Sequence, residues 1–287
     1  MTASAERGTV AAQETNGDGK SPRIAVERVA LTAGAVVEIL WMNRPDSLNA
    51  LDHAAILELG DALEAAEADA SVRVVLISGK GRAFSAGGDL KAYLKLQRDP
   101  IGFPVFLEDL HRIFNSIRTM SKPVVALVNG VTAAGGLELL LCCDFAIAAA
   151  SAKIGDAHLN FGQMGGGGVL AHLPRAIGPS RARELIFSAR FLSADEARDW
   201  GLVNAVVADD KLTEYGLDFA RGVAERSAEA VHGAKYVLNT GIAEGTGLDT
   251  TLHLERERTL RYCLTLPDSM EGLEAFARRS ESKGGEA

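Results

Sequence analysis

Val124-Val125-Ala126-Leu127-Val128-Asn129-Gly130-Val131-Thr132-Ala133-Ala134-Gly135-Gly136-Leu137-Glu138 is the stretch on which the reading of this chain turns. Its first five residues are all apolar and mostly β-branched, bounded by Pro123 and Asn129-Gly130, which is the pattern of a short strand buried on both faces of a helix-covered sheet. A helix over Leu137 to Cys143 is predicted next. Gly135-Gly136 then sits where that helix begins, so its N–H groups lack intrahelical acceptors and point outward with the positive end of the helix dipole. Such a position suits an oxyanion. Glu138 falls in the first turn, beside the same helix end.

A second glycine-containing turn follows a second strand of the same kind. Val74 to Ser78 is continuously apolar up to its last residue, and Ala83-Phe84-Ser85-Ala86-Gly87-Gly88-Asp89-Leu90 overlaps the Gly-rich turn Gly81 to Asp89 that follows it. Upstream, Ile24 to Val29 and Ala35 to Trp41 read as strands separated by Thr32-Ala33-Gly34, and Asn43 to Ser47 as a loop. Asp52 is a suitable N-cap for a helix to Ala68, with Ile56, Leu59 and Leu63 at helical spacing. Downstream, helices are expected at Phe106 to Thr119, Arg181 to Ser188, Ala194 to Trp200 and Thr213 to Ser227, and strands at Phe145 to Ala149 and Val203 to Val206. From Glu229 to Arg279 the pattern is helical throughout. Strands alternating with helices, then helices alone, give an α/β core followed by a C-terminal helical region.

The chain has 287 residues, a formal net charge of −8 and 47% hydrophobic residues, the composition of an ordinary soluble globular protein. That charge repels a phosphate backbone, so nucleic acid is not an expected partner. The longest apolar run, Leu137 to Ala150, is broken by Glu138 and Asp144, so no membrane span is expected. Cys142 and Cys143 are adjacent and Cys263 is distant, which is no disulfide framework; a reducing, cytoplasmic setting follows. The boundaries expected are a disordered tail over 1–22, the α/β core over 23–205, the helical region over 206–280 and a frayed tail over 281–287. The histidines show no metal-ligand spacing. Gly162 to Gly168 lacks the strand and acidic residue of a dinucleotide loop, and Ser85 lacks the context of a nucleophile elbow.

Taken together and in order, several segments resemble the enoyl-CoA hydratase/isomerase, or crotonase, family. They are Asn43-Arg44-Pro45 with Leu48-Asn49-Ala50-Leu51, Phe84 to Lys91, Lys122 to Ala126, Asn129-Gly130, Gly135-Gly136-Leu137-Glu138-Leu139, Cys143-Asp144, and Ala197 to Asn204. The resemblance runs from about Val26 to Phe276. It implies a spiral of ββα turns (the crotonase, ClpP-like fold), an acyl-CoA thioester as substrate with no separate cofactor, and assembly into homo-trimers or hexamers. By similarity, the N–H groups of Ala86 and Gly135 form the oxyanion hole. Ala86, Gly87, Gly88 and Asp89 line the thioester and pantetheine, and Glu138 matches one of two hydratase glutamates. Arg44 and Lys91 are placed to bring positive charge to the CoA phosphates, although each also reads as a solvated surface charge, as do Arg278 and Arg279.

The pattern departs at His158, which stands where hydratases carry their second glutamate. Neutral imidazole offers one donor and one acceptor and titrates near neutrality, so Glu138 and His158 can divide acid and base roles. Asp156 is a candidate to orient the ring. A histidine at this place also resembles crotonase-fold β-diketone hydrolases, but the aspartate those enzymes carry in the following glycine run is replaced by Gly167. The expectation is therefore hydration of a 2-enoyl-CoA through an enolate. An isomerase or C–C bond hydrolase using Glu138 and His158 is the alternative, and a silent acyl-CoA-binding or assembly subunit is the alternative of another class. The stretch Tyr93 to Phe106, with Pro100, Gly102 and Pro104, is expected to shape the acyl pocket.

Overall fold

Parallel strand pairing organises the molecule. The computed structural model describes residues 9, 10 and 21–270, apart from 33, 244 and 246. In chain order the elements are β1 (Thr9–Val10), β2 (Ile24–Thr32), β3 (Ala35–Met42), α1 (His53–Ala68), β4 (Val72–Gly79), β5 (Ala83–Ser85), α2 (Leu90–Leu96) and α3 (Gly102–Thr119). They continue with β6 (Val124–Val128), β7 (Val131–Ala133), α4 (Gly135–Cys142), β8 (Phe145–Ala149), β9 (Lys153–Gly155), α5 (Val169–Ile177), α6 (Pro179–Ser188) and β10 (Phe191–Ser193). The last are α7 (Ala194–Asp199), β11 (Ala205–Val207), α8 (Leu212–Ala224), α9 (Ala228–Ala243) and α10 (Leu248–Thr265).

A seven-stranded sheet has the order β1-β2-β3-β4-β6-β8-β11, and a four-stranded sheet the order β10-β9-β7-β5. β4, β6 and β8 are mutually parallel in the large sheet, and β5, β7 and β9 are mutually parallel in the small one. The chain thus repeats one move: a strand in the large sheet, a short strand in the small sheet, then a helix. This is the ββα spiral. Val124 to Val128 are all fully buried because the large sheet is covered on both faces. One face packs on α1, α3 and α4 through Ile56, Leu59, Ile113, Phe114 and Leu137. The other is covered by α8, which sets Leu212 and Ala220 against Val74, Leu76, Val125 and Leu127.

Asp52 caps α1 as expected, its carboxylate accepting from the Ala55 N–H at 2.8 Å. Several expectations are corrected. Thr9–Val10 pair with Val29 and Arg28, so the N-terminal segment is not without structure at these two residues. The turn Gly81 to Asp89 contains β5, and residues 131–133 form β7. α2, α5, β9 and β10 were not foreseen. The C-terminal run is two helices with a break between Ala243 and Leu248, and its continuation past residue 270, Arg278, Arg279 and the 281–287 tail lie outside the described residues. Among the described residues, no helix is long and apolar enough to cross a membrane.

Candidate active site

The parallel strands β5, β7 and β9 of the small sheet deliver their exits to one cavity of about 560 Å³, lined among others by Gly88, Gly135, Glu138 and His158. Leu51 pairs with Gly88 as an isolated parallel bridge. Leu51 N–H donates to Gly87 C=O at 2.8 Å, and Asp89 N–H donates to Leu51 C=O at 2.9 Å. Successive N–H groups of an extended segment point to opposite sides, so the Gly88 N–H is turned away from this ladder and has no acceptor among the described residues. Its nitrogen lies beside the start of α4: a Cβ built on Gly135 would lie only 3.6 Å from Gly88 N. Gly135 N–H, at the first position of α4, is the other outward donor.

This corrects the assignment of Ala86. Its N–H donates to Leu48 C=O at 2.9 Å and is unavailable to a ligand. The pair of free donors is Gly88 and Gly135. Their loops meet because Gly87, at φ +94, carries no side chain; a Cβ there would stand 2.7 Å from the Ala134 Cβ. Ala134 is itself held at φ 49, ψ −117, a conformation costing a non-glycine residue about 1–3 kcal/mol. Its N–H donates to Asp156 C=O at 2.9 Å, which fixes the peptide leading into Gly135.

Glu138 is 2% exposed, and its Oε1 accepts from the N–H groups of Gly167 at 2.7 Å and Val169 at 3.3 Å. The glycine run is therefore a cradle for this carboxylate. A Cβ at position 167 would sit 2.6 Å from Glu138 Oε2. Burial raises the Glu138 pKa above the usual carboxylate range, against the opposing pull of the His158 charge and the two N–H donors.

His158 follows Ala157, which adopts φ 55, and opens a 3₁₀ turn over His158–Phe161. Its Nδ1 is 2.8 Å from Oδ1 of Asp156, itself 1% exposed, so Nε2 is the ring nitrogen left for a ligand. Burial pulls the His158 pKa down, but the hydrogen bond to Asp156 and the charges of Glu138 and Asp156 outweigh it, and the net shift is upward. An imidazolium facing a carboxylate is the state this favours.

The cationic and anionic residues of the first turn have other partners. Arg44 donates to Asp89 Oδ2 at 2.9 Å and to Ala50 C=O at 2.7 Å, and it lies 3.4 Å from Asp52. Asp89 also caps α2 by accepting from Lys91 and Ala92 N–H. Although Asp89 borders the cavity, both of its oxygens are bound to protein groups, and Arg44 is a clamp rather than a cavity residue. Lys91 is exposed at the cavity wall.

Asn49, one residue of the Leu48-Asn49-Ala50-Leu51 segment, ties this region together. It is buried at φ 56, its Nδ2 donates to Lys80 and Ala83 C=O at 3.0 and 2.7 Å, and its Oδ1 accepts from Arg44 N–H at 2.9 Å. The available signal was the residue type, since asparagine tolerates the left-handed region better than most.

Comparison with known proteins bears on this geometry. The model of the family described as Enoyl-CoA hydratase/isomerase matches residues 32–283. The chain belongs to the enoyl-CoA hydratase/isomerase family. Among relatives, it is 34% identical over 260 residues to the crotonyl-CoA hydratase of Syntrophomonas wolfei, covering 90% of this chain and 98% of that one. It is 35% identical over 250 residues to the mitochondrial methylglutaconyl-CoA hydratase of Homo sapiens, covering 85% and 72% respectively. The crystal structure of an enoyl-CoA hydratase from Bacillus anthracis superposes with a TM-score of 0.83 at 33% identity, over 90% of this chain and 96% of that chain. The α/β crotonase fold, with two mixed sheets and C-terminal helices, is thereby established for this member of the family.

Proposed function

We propose that this chain adds water to a 2-enoyl-CoA thioester. The observation that carries the reading is that two unengaged backbone donors, Gly88 and Gly135, face the same cavity as a buried carboxylate and a carboxylate-backed imidazole. With the thioester oxygen held between the two N–H groups, electron density arriving at Cβ is passed to that oxygen. Fixed donors of this kind are each worth about 10²–10³ in rate. Ionised Glu138 takes a proton from water as its oxygen bonds to Cβ, and the enolate forms. The enolate collapses as Cα takes the proton of the His158 imidazolium. With hydrogen and hydroxyl delivered to the same face of the double bond, the proposed addition is syn. Glu138 then releases its proton and His158 regains one through solvent.

The Asp156-backed histidine also supports a second reading, in which His158 shuttles a proton in an isomerase or activates water at a carbonyl in a C–C hydrolase. The experiment that separates these is mass spectrometry of crotonyl-CoA and longer enoyl-CoAs incubated with the protein in heavy water. A gain of one water supports hydration; Cα deuteration without water addition supports the second reading; binding without either change supports a silent acyl-CoA-binding subunit. We further propose self-association through the C-terminal helices, as a trimer or hexamer. α10 has no buried residue in the isolated chain and leaves Leu252, Leu260 and Leu264 exposed.

A further inference from the structure

Arg44 is not among the residues that line the cavity, yet a line of hydrogen bonds runs from its guanidinium to the Gly88 N–H. Nη1 donates to Ala50 C=O at 2.7 Å. That carbonyl shares a peptide group with the Leu51 N–H, which donates to Gly87 C=O at 2.8 Å. The Gly87 carbonyl in turn shares a peptide group with the Gly88 N–H. In a planar trans peptide the C=O and the N–H point in opposite directions, so each hydrogen bond in the line sets the direction of the next donor. Arg44 also closes the line from the far side: Nη2 donates at 2.9 Å to Oδ2 of Asp89, the residue after Gly88, and Nη1 lies 3.4 Å from Asp52 Oδ2. Its own main chain is pinned, the N–H donating to Asn49 Oδ1 and the C=O accepting from Asn49 N–H, each at 2.9 Å.

Resting on the reading of Gly88 and Gly135 as donors to a thioester oxygen, we infer that Arg44 is a positioning residue for the Gly88 donor, which it orients and polarises through two peptide groups in series. A cation at the head of such a line draws electron density along it, and hydrogen bonds in a chain strengthen one another. The last N–H, which has no acceptor among the described residues, is the one that gains. Asp89 holds the guanidinium in place: burial opposes its charge, but hydrogen bonds from Arg44 and Ala92 N–H keep its pKa below the usual carboxylate range. Arginine suits the task because a planar fork of donors meets a carbonyl and a carboxylate at once, where a lysine ammonium is a single point. Service to the CoA phosphates is a competing use of the same charge, since it would draw the guanidinium away from Ala50 and Asp89.

The test is difference infrared spectroscopy of two saturated thioesters labelled with ¹³C at the carbonyl, butanoyl-CoA and the phosphate-free butanoyl-pantetheine, bound to wild type, Arg44→Met and Arg44→Gln. It needs no turnover, and a change confined to stability does not move the band. Wild type is expected to lower the carbonyl frequency of both ligands relative to water. In Arg44→Met about half of that shift should be lost for both ligands alike, because the Gly135 donor on α4 remains. Arg44→Gln, which keeps a neutral donor, should fall between; should one variant not fold, the other decides. A band at the wild-type position in the variants overturns the inference while leaving the thioester reading intact, and weaker binding of butanoyl-CoA alone would then make Arg44 a phosphate ligand. A wild-type band at its position in water, or failure of both ligands to bind wild type, overturns both.

Discussion

The proposed hydration requires Glu138 to be both buried and charged, and those demands oppose each other. Its folded pKa is raised by burial, so ionisation costs stability that is retained at low pH and lost as pH rises through that raised pKa. Glu138→Gln should therefore lower the hydration kcat by about 10²–10⁴ while leaving the melting temperature at neutral pH unchanged or higher. A lowered melting temperature with retained kcat would contradict the role given to it. As base, Glu138 must be ionised, which gives the pH–rate profile an ascending limb. As proton donor, His158 must be protonated, which gives a descending limb above its raised pKa. Asp156→Asn removes the hydrogen-bonding carboxylate that raises the His158 pKa, so the descending limb should move to lower pH. A limb that stays in place would show that His158 is not the group titrating. Gly167→Ala sets a methyl against Glu138 Oε2 and should reduce kcat by about tenfold or more with little change in KM.

At the scale of elements, the loop before α1 positions Gly88, the first proposed oxyanion donor, through backbone contacts, and Asn49 holds that loop. Asn49→Ala leaves the Lys80 and Ala83 carbonyls short of a donor and should destabilise the fold by about 1–3 kcal/mol, measured by urea denaturation. It should also reduce kcat, because Leu48 and Leu51 no longer fix Ala86 and Gly88. Strands β4, β6 and β8 were legible in the sequence because both of their faces are buried and every side chain reports it. β5, β7, β9 and β10 were not, because three residues are too short for a period and their existence depends on pairing with distant chain. The same cause displaced the donor from Gly88 to Ala86: which N–H is free is decided by alternation across the bridge to Leu51, a non-local fact. Glu138 and Gly135 were readable because a helix start is local. α5 was hidden by Gly165 to Gly168 before it and Pro174 within it.

At the scale of the whole molecule, α8 lies on the large sheet, while α9 is tied to the core by a buried cation, with Asn239 donating to Arg118 C=O beside it. Lys235 of α9 donates to the carbonyls of Ile117 and Lys122 at 2.9 and 2.8 Å and lies 2.8 Å from Asp144 Oδ2, with its side chain 6% exposed. Lys235→Ala leaves Asp144 short of its countercharge and should cost about 3–5 kcal/mol by urea denaturation. α10, by contrast, packs mainly on α9. If its exposed leucines close an assembly, Leu260→Arg with Leu264→Arg should reduce the mass measured by light scattering toward the 30.3 kDa of one chain.

The ββα repeat also partitions the machinery along the chain. The first circuit ends at Gly88, the second at Gly135 and Glu138, and the third at Asp156 and His158. Across the cavity the third circuit meets the second through main-chain carbonyls of Gly155 and Asp156, which any residue can supply. Side chains at position 158 can therefore be exchanged without disturbing the backbone of Gly88 and Gly135, the donors proposed to hold the thioester oxygen. On the proposed reading, the donors for the thioester oxygen sit in the first two circuits and the Cα proton donor in the third, so an exchange at position 158 is a change to one circuit alone.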